Sequence, residues 1–126
     1  HVLEPLYGYL LLGYRLHYNK KLFTGSWNFG TNKNTITSVE EVIKKIINFW
    51  GSGNYKAKKI NKYYEQENLQ LNIDKAKKIL KWTPRLSIND SIKFTVDWYK
   101  AVLNNKKEYE TITENQIKKF LNVQAL

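Results

Sequence analysis

The sequence predicts a mostly helical module carrying two or three short strands. Two start signals, Ser38 to Glu41 and Ser87 to Asp90, each lead into apolar residues at helical spacing. Brief runs around SWNF, NYKAKKI and LQLNI alternate or extend in the manner of short strands. At 126 residues with 42% hydrophobic content, the chain has the size and composition of one packed domain.

The elements follow in order. Residues 4 to 19 read as a helix opened by Pro5, with Leu6, Leu10, Tyr14 and His17 on one stripe and Leu3 and Tyr7 beside it. Gly8 and Gly13 each weaken that helix by about 1 kcal/mol relative to Ala, and glycines there permit close packing. His17 reads as a helix-surface residue. Residues 20 to 32 form a loop and a short strand between Gly25 and Gly30. Ser38 and Glu41 then make a capping box for a helix with Val39, Val42, Ile43, Ile46, Ile47 and Trp50 at helical spacing, ended by Gly51-Ser52-Gly53. Lys44 and Lys45 read as solvated.

The strand NYKAKKI, the polar connector NKYYEQE and the strand LQLNI come next. Asn72 or Asp74 begins a short helix that turns Ala76, Ile79 and Leu80 inward and leaves Lys75, Lys77, Lys78 and Lys81 mostly on its outer side. The longest helix follows Ser87 and is expected to bury Ile88, Ile92, Val96, Tyr99 and Val102 or Leu103. Thr113 with Gln116 opens a last helix, packed through Ile117, Phe120 and Leu121.

Composition narrows the function classes. No cysteine exists, so no disulfide, thiol nucleophile or thiolate metal site is available, and the two histidines are not clustered. The longest apolar run, YLLLGY, is far short of the ~20 residues of a membrane span, which predicts a cytoplasmic protein without a membrane partner. The net charge of +10 raises nucleic-acid binding. Against it, Lys, Asn, Ile and Tyr share A/T-rich codons, and only Arg15 and Arg85 supply the side chain best suited to bidentate contacts. No nucleic-acid partner is therefore expected. Methionine is absent and the chain opens on HVLEP, so the sequence is expected to be a piece of a longer protein.

One ordered set of segments carries more meaning than the charge. HVLEPLYGYLLL at the start, SWNFG at 26 to 30, KAKKILKWTPR at 75 to 85 and FTVDWYKAVL at 94 to 103 resemble the carboxy-terminal part of extended short-chain dehydrogenase/reductase enzymes. Within that family they are similar to the CDP-glucose 4,6-dehydratases, and the likeness runs from His1 to about Phe120.

The resemblance implies an α/β parent in which a Rossmann domain upstream binds NAD, with residues 1 to 126 as the mostly helical, substrate-binding portion. It implies that the whole enzyme converts CDP-glucose to CDP-4-keto-6-deoxyglucose with loss of water, and that the parent is a homodimer or larger. The chain holds no GxxGxxG turn. Tyr55 with Lys59 lies in an expected strand, not the helix a Tyr-x-x-x-Lys pair needs. No catalytic and no cofactor-binding residue is assigned, and this portion alone is expected to be inactive.

What the resemblance does carry over is a nucleotide-facing wall. Related enzymes place a ribose-binding carboxylate seven positions before the helix start, which from Asn72 falls on Glu65. A basic residue three places earlier faces the diphosphate, at Lys62, and Tyr64 stands beside Glu65. A carboxylate accepts from two vicinal hydroxyls, and an ammonium neutralises phosphate oxygens. Three positions depart from the pattern: Asn72 replaces an acid, Lys81 a Gly, and Tyr64 a His. A left-handed turn at Lys81 would cost on the order of 1 kcal/mol. The alternatives are another NAD-dependent nucleotide-sugar epimerase or dehydratase, or, from a different class, a lysine-rich nucleic-acid-binding module.

Overall fold

The computed structural model describes residues 1–32, 37–57, 70–105 and 108–123. Helix α1 spans Leu3–Tyr18, α2 Lys20–Phe23, α3 Val39–Trp50, α4 Ile88–Asn104 and α5 Tyr109–Asn122, with a π-helical turn at Ala76–Leu80. Among the described residues there is no strand, so the expected α/β class with two or three strands is corrected to an all-helical one. Residues 58–60 of the expected strand NYKAKKI and Leu69 of LQLNI lie outside the described residues.

The physical reason is the lack of a backbone ladder. Residues 26–32 and 70–73 do run beside one another. Asn28 Nδ2 donates to the Asn72 carbonyl at 3.3 Å, and a Cβ on Gly30 would stand 3.3 Å from Leu71 Cβ. The two segments thus touch through side chains, with no backbone–backbone bond between them among the described residues. Alternation supplies the side-chain pattern of a strand, but only paired N–H and C=O groups make one.

The capping signals are realised atom by atom. Ser38 Oγ accepts from Glu41 N at 3.2 Å while Glu41 Oε2 accepts from Ser38 N at 2.9 Å. Gly51, at φ +91°, closes α3 in the left-handed conformation. Ser87 Oγ accepts from Asp90 N at 3.1 Å, and Asn72 Oδ1 from Asp74 N at 2.8 Å. Lys45 is not merely solvated, because its Nζ reaches Asn89 Oδ1 at 2.7 Å across to α4, and Lys44 pairs with Glu40 at 2.8 Å. The last helix starts at Tyr109 rather than Thr113, whose hydroxyl donates to the Tyr109 carbonyl inside the helix.

The core sits where α1, α2 and the π-helical turn meet. Phe23, Ile73, Ala76, Leu80 and Trp82 are buried together, with Tyr7, Leu11, Leu12, Leu16, Trp27 and Phe29 packed against them. Ile79, expected inward, is exposed, and Ile73 takes its place, because the wider π turn shifts the inward face. The α1 stripe of Leu6, Leu10 and Tyr14 faces outward, while Leu11, Leu12 and Leu16 face in. On α4, Ile92 and Val96 are buried but Tyr99 and Leu103 are exposed. On α5, Phe120 and Gln116 are buried while Ile117 and Leu121 are not.

Two glycines of α1 behave differently. Gly8 lies against the Phe29 ring, inside the distance an added Cβ would need, whereas Gly13 has open space around it. Lys81 takes the left-handed conformation, φ +61° and ψ +31°, the case in which a residue other than Gly carries a cost. Trp82 N donates to the Ala76 carbonyl at 3.0 Å and closes the turn.

These geometries set expected stabilities, readable by urea unfolding. Lys81→Gly is expected to stabilise the chain by about 1 kcal/mol by relieving the left-handed strain. Gly13→Ala should gain roughly 1 kcal/mol from helix propensity. Gly8→Ala should instead lose stability, because overpacking against Phe29 costs about 1–3 kcal/mol and outweighs the same propensity gain.

Candidate functional site

Lys62, Tyr64 and Glu65, the substrate residues expected from the sequence, lie outside the described residues. The site that the described residues do build is a cavity of about 580 Å³ where the first turn of α1 meets residues 29–32 and the stretch from Pro84 to Ser91. Its wall is apolar through Phe29, Pro84, Leu86 and Ile88, with hydroxyls from Thr31, Ser87 and Ser91 and one carboxylate from Glu4. Concave, mainly apolar walls with a few placed polar groups suit a small organic ligand.

Glu4 organises this cavity. Its Oε1 accepts from Arg85 N at 2.8 Å and Leu86 N at 2.6 Å. Those two N–H groups belong to the turn after Trp82-Thr83-Pro84, so one carboxylate anchors the entry to α4 on the first turn of α1. Glu4 Oε2 is buried without a hydrogen-bond partner among the described residues. An unpaired buried oxygen costs free energy that a donor placed against it would recover.

Arg85 extends the anchor to the far side. Its guanidinium donates from Nη1 to the Leu121 and Val123 carbonyls, both at 3.1 Å, and from Nη2 to Tyr7 Oη at 3.1 Å. It lies over the Tyr7 ring at 4.4 Å and the Phe120 ring at 5.6 Å. The planar fork thereby caps the C-terminal carbonyls of α5 while stacking on two rings, a combination Lys does not reproduce. Arg85 is thus structural rather than a phosphate ligand.

A second cavity, of about 290 Å³, opens between residues 1–3, α4 and α5, lined by Trp98, Tyr99 and Thr113 among others. Trp98 Nε1 donates to Thr113 Oγ1 at 2.9 Å, and Gln116 Nε2 to the Phe94 carbonyl at 2.7 Å, so the polar groups of this wall already bond one another.

The lysines of residues 75 to 81 divide into two kinds. Lys75 Nζ donates to the Ser26 carbonyl at 2.8 Å and sits 4.2 Å over the Trp27 ring. Lys77 Nζ donates to Asn32 Oδ1 at 2.6 Å. These two latch the π-helical turn to residues 26–32, Lys75 from an exposed position and Lys77 from a half-buried one. Lys78 and Lys81 are exposed.

Titration shifts arise elsewhere. The Lys44 ammonium, then the Tyr55 hydroxyl, hold the Glu40 carboxyl below its ordinary range, and Glu40 in turn raises Lys44 and Tyr55. This cluster is solvent-exposed on α3 and fastens Tyr55 to the helix, with Tyr55 Oη donating to Glu40 Oε1 at 2.7 Å. Tyr55 is therefore held by a carboxylate, and Lys59 lies outside the described residues.

No group of three His, Cys, Asp or Glu side chains among the described residues is arranged to hold a metal. A dinucleotide does not fit the described residues either. The N-termini of α2, α3 and α4 are occupied by their own Asn19, Ser38 and Ser87 side chains, and Gly25, Gly51 and Gly53 serve turns and a helix end rather than a phosphate cradle. No helix among the described residues is long and apolar enough to cross a membrane.

Sequence reasoning missed Glu4 and Arg85. Both were visible in sequence, Glu4 as a first-turn acid beside Pro5 and Arg85 as one of two arginines. Their partners are about eighty positions apart, and no local pattern encodes that pairing.

The chain is 33% identical over 102 residues to the CDP-glucose 4,6-dehydratase of Salmonella typhimurium, a match that covers 80% of this chain and 28% of that enzyme. The chain therefore spans less than a third of this relative's length. No protein-family model matches the chain.

Glu4→Ala is expected to cost about 2–4 kcal/mol in urea unfolding, because it strands two part-buried N–H groups, whereas Glu4→Gln keeps an acceptor and should lose less than half as much. Arg85→Lys should cost about 1–3 kcal/mol through loss of the fork and its ring stacking.

Proposed function

We propose that this chain is the carboxy-terminal, substrate-binding portion of a nucleotide-sugar 4,6-dehydratase. The observation that carries the reading is the identity to CDP-glucose 4,6-dehydratase along 80% of the chain. The order and spacing of the four sequence segments support it. So does the left-handed turn at Lys81, which falls where the family pattern has Gly.

The whole protein would convert CDP-glucose to CDP-4-keto-6-deoxyglucose, a dehydration that uses NAD bound by a portion upstream of these residues. This chain contributes binding and no chemistry. Glu65 accepts from the ribose hydroxyls, Lys62 faces the diphosphate, and Tyr64 supports the nucleotide. The substitution of Tyr64 for the family's His makes the base the least fixed part of the substrate, and another nucleotide sugar is the nearest competing ligand.

Titration calorimetry of the purified chain tests the assignment. CDP-glucose is expected to bind more tightly than free glucose, and Glu65→Ala should weaken it about tenfold, in keeping with loss of a charge-assisted hydrogen bond. Equal, weak binding of CDP-glucose and glucose would refute the nucleotide-sugar reading. NAD-dependent turnover by this chain alone would refute the purely binding role.

A further inference from the structure

Helix α3 differs from the other α-helices in how it is held. Each of the others buries at least one residue, from Gly8 in α1 to Phe120 in α5, but α3 buries none. It packs chiefly on α4, and its Val42, Ile43, Ile47 and Trp50 are half-buried. Within itself the segment is closed. The capping box ties Ser38 to Glu41, Gly51 ends the helix, and residues 51–57 turn back so that Tyr55 Oη reaches Glu40 Oε1 in the first turn of α3. Two hydrogen bonds leave the segment among the described residues, and both join it to α4 through a lysine. Lys45 Nζ donates to Asn89 Oδ1 at 2.7 Å, and Lys100 Nζ donates to the Trp50 carbonyl at 3.2 Å. The Trp50 carbonyl belongs to the last turn of α3, where carbonyls lack helical partners and a cation suits the helix dipole.

We propose that residues 38–57 are a detachable unit, latched to α4 by Lys45 and Lys100, which leaves and rejoins the fold while the core around Trp82 stays intact. Elements with few buried apolar contacts open at a lower free energy than the whole fold does. α3 has no buried side chain to expose, whereas Phe23, Ile73, Ala76, Leu80 and Trp82 hold α2 and the π-helical turn to α1. Departure breaks the half-buried contacts and the two lysine bonds, because the other bonds of the segment lie within it. Asn89 and Lys100 stand near opposite ends of α4, about 16 Å apart at the rise of a helix, so the two bonds hold the unit along α4 rather than at one pivot. A helix of 12 residues is marginal in water by itself, so α3 off α4 loses its turns and its amides meet solvent. The inference is independent of the dehydratase reading.

Hydrogen–deuterium exchange of the purified chain under native conditions, read by mass spectrometry of its peptides, tests this. Amides of α3 are expected to exchange about tenfold or more faster than those of α1, yet clearly slower than an unstructured peptide. Lys100→Met keeps the aliphatic stem and removes the donor, so it should speed exchange in α3 about fivefold and leave α1 unchanged. Lys45→Met is expected to act in the same way. Lys78→Met, at an exposed lysine away from the latch, should change neither helix. Protection of α3 equal to that of α1 would overturn the proposal, since α3 would then open together with the whole fold. Exchange of α3 at the unstructured rate would also overturn it, because the helix would not be docked at all. So would an equal acceleration of α1 and α3 by Lys100→Met, which would make that lysine a support of the entire fold.

Discussion

Glu4 and Arg85 form a junction at which three parts of the chain converge. Glu4 Oε1 holds the backbone of Arg85 and Leu86, and the Arg85 side chain turns the other way to hold the end of α5 and the Tyr7 hydroxyl. The first turn of α1, the approach to α4 and the last turn of α5 are therefore fixed to each other through two side chains. Charged partners make these bonds stronger than neutral ones, and breaking the part-buried ones leaves an unpaired polar group behind. The orientation of α4 and α5 relative to α1, and with it the shape of the larger cavity, depends on that junction.

The rest of the packing is arranged around the junction in two clusters. On one side, Trp82 and Leu80 close the core formed with Phe23 and α1, and Phe29 lies edge-on to Trp82 at 5.0 Å. On the other, Phe120 lies edge-on to Tyr7 at 5.9 Å beneath the Arg85 guanidinium. Pro84, between Trp82 and Arg85, lacks an N–H and cannot extend a helix, so the chain passes from the first cluster to the second without ordinary helical continuity. Lys75 and Lys77 add an outer latch to residues 26–32. The lysine-rich stretch is thus partly a structural fastening, and its charge count overstates what is free to meet a polyanion.

This division of labour bears on the functional reading. Among the described residues, polar side chains such as Glu4, Lys75, Lys77 and Arg85 bond to other parts of the chain and fix its shape. Where titration is displaced, at Glu40, Lys44 and Tyr55, the groups are on the open surface and hold a loop to a helix. The larger cavity is lined by an apolar wall, by hydroxyls and by Glu4.

The capping box at Ser38, the cap at Ser87 and the glycine stop at Gly51 were legible in the sequence, because each is decided by residues within four positions of one another. So was the burial of Ile92, Val96 and Phe120. Which side of α1 faces inward was not, since apolar residues surround much of that helix and only its neighbours choose between Leu11 and Leu10. The short strands were misread because alternation is local, whereas a ladder needs a second backbone in register. The junction of Glu4 with Arg85 and Leu86 likewise joins residues about eighty positions apart. Sequence alone determined the starts of α3 and α4 and the end of α3, which are short-range contests among hydrogen bonds, though not the start of α5. The tertiary structure decided the inward faces, the missing ladder and the central junction, because each depends on a partner brought near only by folding.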